Sequence, residues 1–141
     1  MIRKKNFWKN KNILITGIAG FVGSNLAKNF SKNGANVFGI AQNKKIESLL
    51  FYEKINKKVK LIYGDITDKN LIKKILIKFK IEICFHLAAQ VEVGLAKKDP
   101  YQTWETNIRG TYTILDTIRN YGQSVKSIVI ASSDKAYGEH G

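Results

Sequence analysis

Apolar residues gather in five short runs that recur along the chain. The runs cover residues 12–16, 36–41, 59–64, 82–88 and 127–131. Apolar runs that are not broken by alternating polar residues are typical of β-strands covered on both faces of a sheet. We therefore predict five buried strands.

Helical periodicity appears between several of these runs. Val22, Leu26 and Phe30 recur every four residues, while Lys28 and Lys32 point away from them, which predicts a first helix. A second helix is indicated after residue 68, with Thr67 or Asp68 as its N-cap. Its predicted apolar face consists of Leu71, Ile72, Ile75, Leu76 and Phe79.

A third and longer helix is predicted from Asp99 to about Gly122. Asp99 is a suitable N-cap, Pro100 suits the first helical turn, and Gly122 suits the C-terminal end. Its predicted apolar face consists of Trp104, Ile108, Tyr112, Leu115 and Ile118. Residues 44–55 are also predicted to be helical.

The alternation of strands and helices predicts the fold class. Strand–helix–strand units connect parallel strands through right-handed crossovers. We predict an α/β fold, a Rossmann-type doubly wound parallel sheet that stops after about five strands. Residues 1–141 are interpreted as one domain.

Composition narrows the possible partners. The 141 residues are 44% hydrophobic, enough for one packed domain, and Cys84 is the only cysteine, so no disulfide forms within the chain. The net charge of +13 is scattered along the sequence rather than grouped, which does not favour nucleic acid but suits an anionic ligand. No apolar stretch is long enough for a membrane span, and no signal-peptide pattern is complete, so we expect a cytoplasmic protein.

A glycine-rich turn joins the first predicted strand to the first predicted helix. Gly17 permits a tight turn, Gly20 lets a pyrophosphate approach the backbone, and Gly23 lets the helix pack close to the sheet. The N–H groups at the start of the helix would face the phosphates, and the helix dipole would favour their charge. This placement predicts dinucleotide binding.

Dinucleotide sites of this kind usually have an acidic residue at the end of the second strand, where it binds the adenosine ribose. Ala41 or Gln42 occupies that place, so the acid is missing. Asn43 can hydrogen-bond the ribose hydroxyls, whereas Lys44 and Lys45 can meet a 2′-phosphate. NAD is the predicted cofactor and NADP stays possible.

Five motifs in order make the chain resemble a known family. They are "TGIAGFVG" (16–23), "YGDITD" (63–68), "FHLAAQ" (85–90), "DPYQTWETNIRGTYTILD" (99–116) and "IVIASSDKAYG" (128–138). The chain resembles the extended short-chain dehydrogenases/reductases, in the NAD-dependent epimerase/dehydratase family. Within that family it is most similar to the CDP-glucose 4,6-dehydratases and their relatives.

The resemblance implies a set of cofactor-binding residues. Asp65 would contact adenine, although it can also be read as a turn acid that caps the next helix. Thr106 and Asn107 would brace the site, or be a polar pair in a partly buried helix. The complete set is Gly17, Gly20, Phe21, Val22, Gly23, Asp65, Ile66, Leu87, Ala88, Ala89, Gln90, Thr106, Asn107 and Ser132.

The resemblance also implies catalytic residues at the end of the chain. Ser133 would position the C4 oxygen of a sugar, Asp134 would be a general acid, and Lys135 would share in the proton transfers. The alternative is a charged turn after the fifth strand. His86 is expected to be packed or hydrogen-bonded rather than catalytic, and no second histidine lies at a ligand spacing, so no metal site is predicted.

The implied function is that of a nucleotide-sugar 4,6-dehydratase, a lyase that acts through transient hydride transfer to NAD. The alternatives are a nucleotide-sugar 4-epimerase on the same fold, and a non-catalytic module that binds a dinucleotide or nucleic acid. The family's Tyr-x-x-x-Lys pair would lie beyond residue 141, because the residue four places after Tyr137 is Gly141. We therefore expect the chain alone to be inactive. The resemblance also implies that residues 1–141 are an incomplete NAD(P)-binding domain, with a C-terminal substrate domain outside this sequence. It further implies that the whole protein is a homodimer.

Overall fold

Five parallel strands form one sheet. The structure, a computed structural model, describes residues 6–43, 47–133 and 137–138. The strands are β1 (Asn12–Thr16), β2 (Asn36–Ala41), β3 (Lys60–Tyr63), β4 (Ile83–His86) and β5 (Ser127–Ile130). They pair in the order β3-β2-β1-β4-β5, and every neighbouring pair is parallel. This order confirms the predicted Rossmann-type doubly wound sheet.

The helices alternate with the strands as predicted. They are α1 (Phe21–Lys32), α2 (Leu49–Tyr52), a 3-10 turn (Ile55–Lys57), α3 (Lys69–Phe79), α4 (Val93–Lys98), α5 (Pro100–Trp104), a π-helical turn (Glu105–Arg109) and α6 (Gly110–Tyr121). The last three are continuous, and residues 100–121 are called the long helix below. The helix predicted over 44–55 is shorter than expected in its described part, and α4 was not predicted.

Side-chain caps explain where two of the helices begin. The Asp68 carboxylate accepts hydrogen bonds from the backbone N–H groups of Asn70 and Leu71, at 2.9 and 3.0 Å, and so caps α3. The Asp99 carboxylate accepts from the N–H of Gln102 at 3.0 Å and caps the long helix one residue before Pro100. Both predicted helix starts are confirmed.

Two helical layers cover the sheet, one on each face. Ile13 and Ile15 of β1 pack on the side of α1 and α2, in a cluster that contains Phe30. Leu14, between them, points to the opposite face and packs in a cluster with residues of α3 and α6. Successive side chains of a strand alternate between the two faces, so both faces of β1 are buried.

The predicted apolar face of the long helix is wrong at four of its five positions, and only Ile118 is buried as predicted. Trp104, Ile108, Tyr112 and Leu115 are all exposed, and they are called the outer apolar face below. The face that meets the sheet and α3 instead consists of Gly110, Thr113, Ile114, Thr117 and Ile118. The inward side is rich in small and hydroxyl residues. The large apolar residues therefore predicted the outward side as the buried one.

The first helix shows the same type of error at one position. Val22 was predicted to face the core, yet it is exposed. The buried positions of α1 are Gly23, Ser24, Ala27 and Phe30. Lys28 and Lys32 are exposed, as predicted.

Candidate functional site

A crevice opens at the carboxyl edge of the sheet. Its cavity measures about 350 Å³, within the size range of small-molecule sites. It lies where the connection after β1 leads to α1 on one face and the connection after β4 leads toward the long helix on the other. Open α/β sheets bind ligands at such a switch point. The lining residues are Gly17, Ala19, Gly20, Ile40, Ala41, Gln42, Asn43, Gly64, Asp65, Ile66, Leu87, Ala88, Ala89, Val91 and Thr106.

The glycine turn needs its glycines for specific reasons. Gly17 has a φ of +70°, and a Cβ on it would lie 2.8 Å from the backbone N of Ala88. A side chain is therefore excluded both by conformation and by the opposite crevice wall. A Cβ on Gly23 would overlap the carbonyl oxygen of Gly17. Gly23 thus lets α1 pack against the turn itself, whereas we expected packing against the sheet.

The start of α1 adjoins the crevice at its N-cap, Gly20, which lines the cavity. Gly20 is the N-cap and supplies no side-chain cap. The N–H groups of Phe21, Val22 and Gly23 belong to the first turn and have no acceptor within the helix. The side chains of Phe21 and Val22 are exposed and do not line the crevice, so their backbone is what these residues offer a ligand.

The far end of the crevice lies beyond β2 and β3. Asn43 lines it after β2, and Asp65 lines it after β3. The Oδ1 atom of Asp65 accepts hydrogen bonds from the N–H of Thr67 at 2.8 Å and from its hydroxyl at 2.7 Å, which holds the turn after β3. Lys44 and Lys45 lie outside the described residues.

Ile66 links this end of the crevice to the core. Its side chain is buried, and a Cβ on Gly110 would overlap the tip of that side chain. The start of α6 therefore packs directly against the residue that follows Asp65. Ile66 lines the crevice while most of its side chain fills the core beneath it.

The opposite wall is the segment after β4. Leu87, Ala88 and Ala89 line the crevice, together with Thr106 from the long helix. Gln90 and Asn107, also predicted to bind the cofactor, bind each other. The side-chain Oδ1 of Asn107 accepts from the backbone N–H of Gln90 at 2.7 Å, and its Nδ2 donates to the Gln90 carbonyl at 2.9 Å.

The predicted catalytic residues come after β5 in the sequence. The N–H of Ala131 donates to the carbonyl of His86 at 3.1 Å, which places the end of β5 beside the end of β4. Ser132 and Ser133 come next and are exposed, but they are not among the described residues that line the crevice. Asp134 and Lys135 lie outside the described residues.

Several crevice residues were not singled out from the sequence. They are Ala19, Ile40, Gly64 and Val91. Each is a direct neighbour of a residue or motif that was singled out, at a strand end or in the glycine turn. Their position after parallel strands was the available signal, because such strand ends meet at one edge.

No group of three or more His, Cys, Asp or Glu side chains in 6–43, 47–133 and 137–138 is arranged to hold a metal ion. Within the same residues, no helix combines the length and the apolar character needed to cross a bilayer.

The chain matches a protein-family model and several characterised proteins. Residues 14–141 match the family model of GDP-mannose 4,6 dehydratase. CDP-glucose 4,6-dehydratase of Salmonella typhimurium is 37% identical over 134 residues, which cover 94% of this chain and 37% of that protein. CDP-paratose 2-epimerase of Salmonella typhi is 33% identical over 129 residues, which cover 90% of this chain and 38% of that protein.

A solved structure shows the same fold. UDP-glucose-4-epimerase of Stenotrophomonas maltophila, solved with bound NAD and formylated UDP-arabinopyranose, superimposes with a TM-score of 0.82 at 26% identity. The match covers 93% of this chain and 39% of that protein. The chain thus belongs to the GDP-mannose 4,6 dehydratase family, and it spans about two fifths of the length of these relatives.

Proposed function

We propose that this chain is the cofactor-binding portion of a nucleotide-sugar 4,6-dehydratase that uses NAD. The observation that carries the proposal is the uncapped start of α1 behind Gly17 and Gly20, at the switch point of the sheet. A diphosphate fits there because backbone N–H groups and the helix dipole favour its charge and no side chain stands in the way.

The rest of the crevice fits the other parts of a dinucleotide. The end lined by Asn43 and Asp65 would hold the adenosine, and the wall of Leu87, Ala88 and Ala89 would lie against the nicotinamide. Asn43 would bind the ribose hydroxyls in place of the missing acid. NAD is favoured because the solved epimerase of similar fold carries NAD. NADP is the alternative, with Lys44 and Lys45 near a 2′-phosphate.

The chemistry needs one oxidising partner and a proton-transfer pair. When bound, the nicotinamide would accept a hydride from C4 of the sugar and later return it at C6. Ser133 would hold the C4 oxygen, and the C4 hydroxyl proton would go to the tyrosine of the family's Tyr-x-x-x-Lys pair, expected beyond residue 141. Asp134 would be the general acid that helps the C6 hydroxyl leave as water, and Lys135 would share in the removal of the C5 proton, which the neighbouring 4-keto group acidifies.

A second candidate is a nucleotide-sugar epimerase on the same fold. The relatives that support it are the CDP-paratose 2-epimerase and the UDP-glucose-4-epimerase named above. We favour the dehydratase because Asp134 and Lys135 supply the extra proton-transfer pair that loss of water requires. Product analysis of the whole protein separates the two, since one makes a 4-keto-6-deoxy sugar and the other inverts a hydroxyl.

We also propose that the whole protein is a homodimer through the long helix. Its outer apolar face exposes 61% of Trp104, 59% of Ile108 and 55% of Tyr112. Three large apolar side chains on one helix surface form a patch of the kind that another protein surface covers. Two copies of this helix would bury that patch against each other.

Calorimetry on the 141-residue chain tests the proposed cofactor. We expect heat on titration with NAD⁺ and weaker or no heat with NADP⁺. Gly20→Val should weaken NAD⁺ binding by about tenfold or more, since its side chain would occupy the diphosphate position. Gly94→Val is the matched control, because a Cβ at Gly94 meets little and the residue does not line the crevice.

Three results would contradict the proposal. Absence of heat with both dinucleotides would overturn the cofactor assignment, as would equal effects of the two glycine variants. Salt-dependent binding of duplex DNA without dinucleotide binding would instead favour the nucleic-acid module. We expect no 4-keto product from the chain alone, and steady formation of that product would contradict that expectation.

A further inference from the structure

A buried histidine connects β1, β4 and the long helix at the base of the crevice. His86 is the last residue of β4 and is only 2% exposed. Its Nδ1 lies 2.7 Å from the hydroxyl of Thr16, the last residue of β1. Its Nε2 lies 3.1 Å from the hydroxyl of Thr111, near the start of α6.

The surrounding hydrogen bonds determine which ring nitrogen carries the proton. The Thr16 hydroxyl oxygen accepts from the N–H groups of Leu87 and Ala88, both at 3.2 Å, so its own hydrogen is free to point at Nδ1. The Thr111 hydroxyl lies 2.7 Å from the carbonyl of Asn107, and a carbonyl can only accept. With its hydrogen used there, Thr111 accepts from Nε2–H of His86.

The resulting chain of hydrogen bonds holds both ends of the crevice wall. At one end, Thr16 fixes the N–H groups of Leu87 and Ala88. At the other end, the Asn107 carbonyl accepts a hydrogen bond from the Thr111 hydroxyl. The Asn107 side chain is hydrogen-bonded to both the backbone N–H and the carbonyl of Gln90. His86 joins the two ends.

We propose that His86 is a positioning residue: as a neutral Nε2–H imidazole it couples the start of α6 to residues 87–90 and sets where that wall meets the nicotinamide end of a bound dinucleotide. The proposal rests on the proposed cofactor. His86 itself lies beneath the wall and does not line the crevice. Its influence reaches a ligand only through Thr16, Thr111 and Asn107.

The electrostatics of the site agree with this geometry. Burial lowers the pKa of His86 below its ordinary value of 6.5, which favours the neutral ring. A protonated ring would place a second N–H against the Thr16 hydroxyl. The Thr16 hydroxyl would then have to accept a third hydrogen bond and lose its bond to Leu87 or Ala88. The Leu87 N–H would keep its second acceptor, the Thr16 carbonyl at 3.3 Å. The Thr16 hydroxyl therefore holds both N–H groups only with neutral His86.

A pair of matched threonine variants tests the coupling. Thr111 and Thr117 both donate from α6 to the carbonyl four residues earlier, at 2.7 and 2.6 Å, but only Thr111 also contacts His86. Thr111→Val should weaken NAD⁺ binding on the order of three- to tenfold and speed hydrogen exchange at the Leu87 and Ala88 amides by a similar factor. Thr117→Val should change neither, whatever it does to the melting temperature.

A spectroscopic measurement tests the protonation state separately. In the ¹⁵N NMR spectrum of the labelled chain, the ring signals of His86 are identified as those that are missing from the spectrum of the His86→Gln variant. Between pH 7 and 8 we expect an unprotonated Nδ1 and a protonated Nε2. A proton on Nδ1, or a charged ring in that range, would overturn the inference.

The outcomes separate this inference from the proposed cofactor. If the unsubstituted chain binds NAD⁺ and the two threonine variants bind it equally, the inference fails and the cofactor stands. If the unsubstituted chain binds no dinucleotide, the proposed cofactor fails. Exchange at the Leu87 and Ala88 amides then still decides whether His86 holds the wall, since equal rates in the two variants would contradict it.

Discussion

Helices α3 and α6 lie side by side on the same face of the sheet, yet they use their apolar side chains in opposite ways. In α3, Ile72, Ile75 and Leu76 are buried, and the outward positions include several lysines. In α6, the buried side combines Ile114 and Ile118 with glycine and threonines, while large apolar residues of the long helix point outward.

This difference shows how far a pattern of apolar residues predicts which side of a helix is buried. In α3 the buried apolar residues face the sheet and α6. The long helix has an apolar stripe on both sides, one against the sheet and one exposed. An exposed stripe of this size is typical of a surface that another chain covers.

Glutamate on the two sides of the long helix should give the largest contrast. Ile114→Glu would bury a carboxylate at a fully buried position, so we expect a loss of more than about 4 kcal/mol in the free energy of unfolding, or no folding. Ile108→Glu should leave the fold intact and reduce self-association. Near-UV circular dichroism would show whether each variant folds, and sedimentation would measure its self-association. An Ile108→Glu chain that fails to fold would contradict the exposed placement.

Alanine on the two sides of α3 should give a smaller contrast. Ile72 is fully buried, so Ile72→Ala should lower the free energy of unfolding by about 2–5 kcal/mol. Ile77 is 54% exposed on the same helix, and Ile77→Ala should change stability by no more than about 0.5 kcal/mol. Urea unfolding measures both. Similar losses in the two variants would mean that the outer side of α3 is also covered.

The ion pair between the two helices should have the smallest effect. Asp116 of α6 lies 2.6 Å from the Lys69 ammonium and 2.8 Å from the Arg119 guanidinium, and these contacts lower its pKa from 3.8 to about 2. The carboxylate therefore adds stability above pH 4 that is lost as the pH falls from about 4 to about 2.

Asp116→Asn should flatten the acid dependence of stability in that window and lower neutral stability by the same small amount, since the pair is exposed to solvent. Some slope should remain, since the pKa of Glu82 is also lowered, chiefly by its hydrogen bond with Lys11. Urea unfolding at several pH values would measure the slope. An unchanged slope in the variant would show that the pair contributes nothing.

The strands and their order were the most predictable part of the molecule. Each of the five apolar runs became a strand within two residues of its predicted ends. An unbroken apolar run requires cover on both faces, and a parallel sheet provides it. The caps at Asp68 and Asp99 were equally visible, because capping depends on a few neighbouring residues.

The candidate site was predictable in outline and less so in detail. The glycine turn and the segments after β3 and β4 meet at one crevice, as the order of parallel strands requires. The hydrogen bonds between Asn107 and Gln90 could not be predicted from the sequence, nor could the series of hydrogen bonds through Thr16, His86 and Thr111. These residues come from four separate segments, and hydrogen bonds between distant segments leave no periodic signal.

The amino-acid sequence by itself determined the alternation of strands and helices, the place of the glycine turn and the family to which the chain belongs. These follow from local conformational preference and from motifs that are contiguous along the chain. Only the tertiary structure decided which side of the long helix meets the sheet and which nitrogen of His86 carries its proton. Both depend on what surrounds a residue in space, which neither its neighbours in sequence nor its own chemistry specifies.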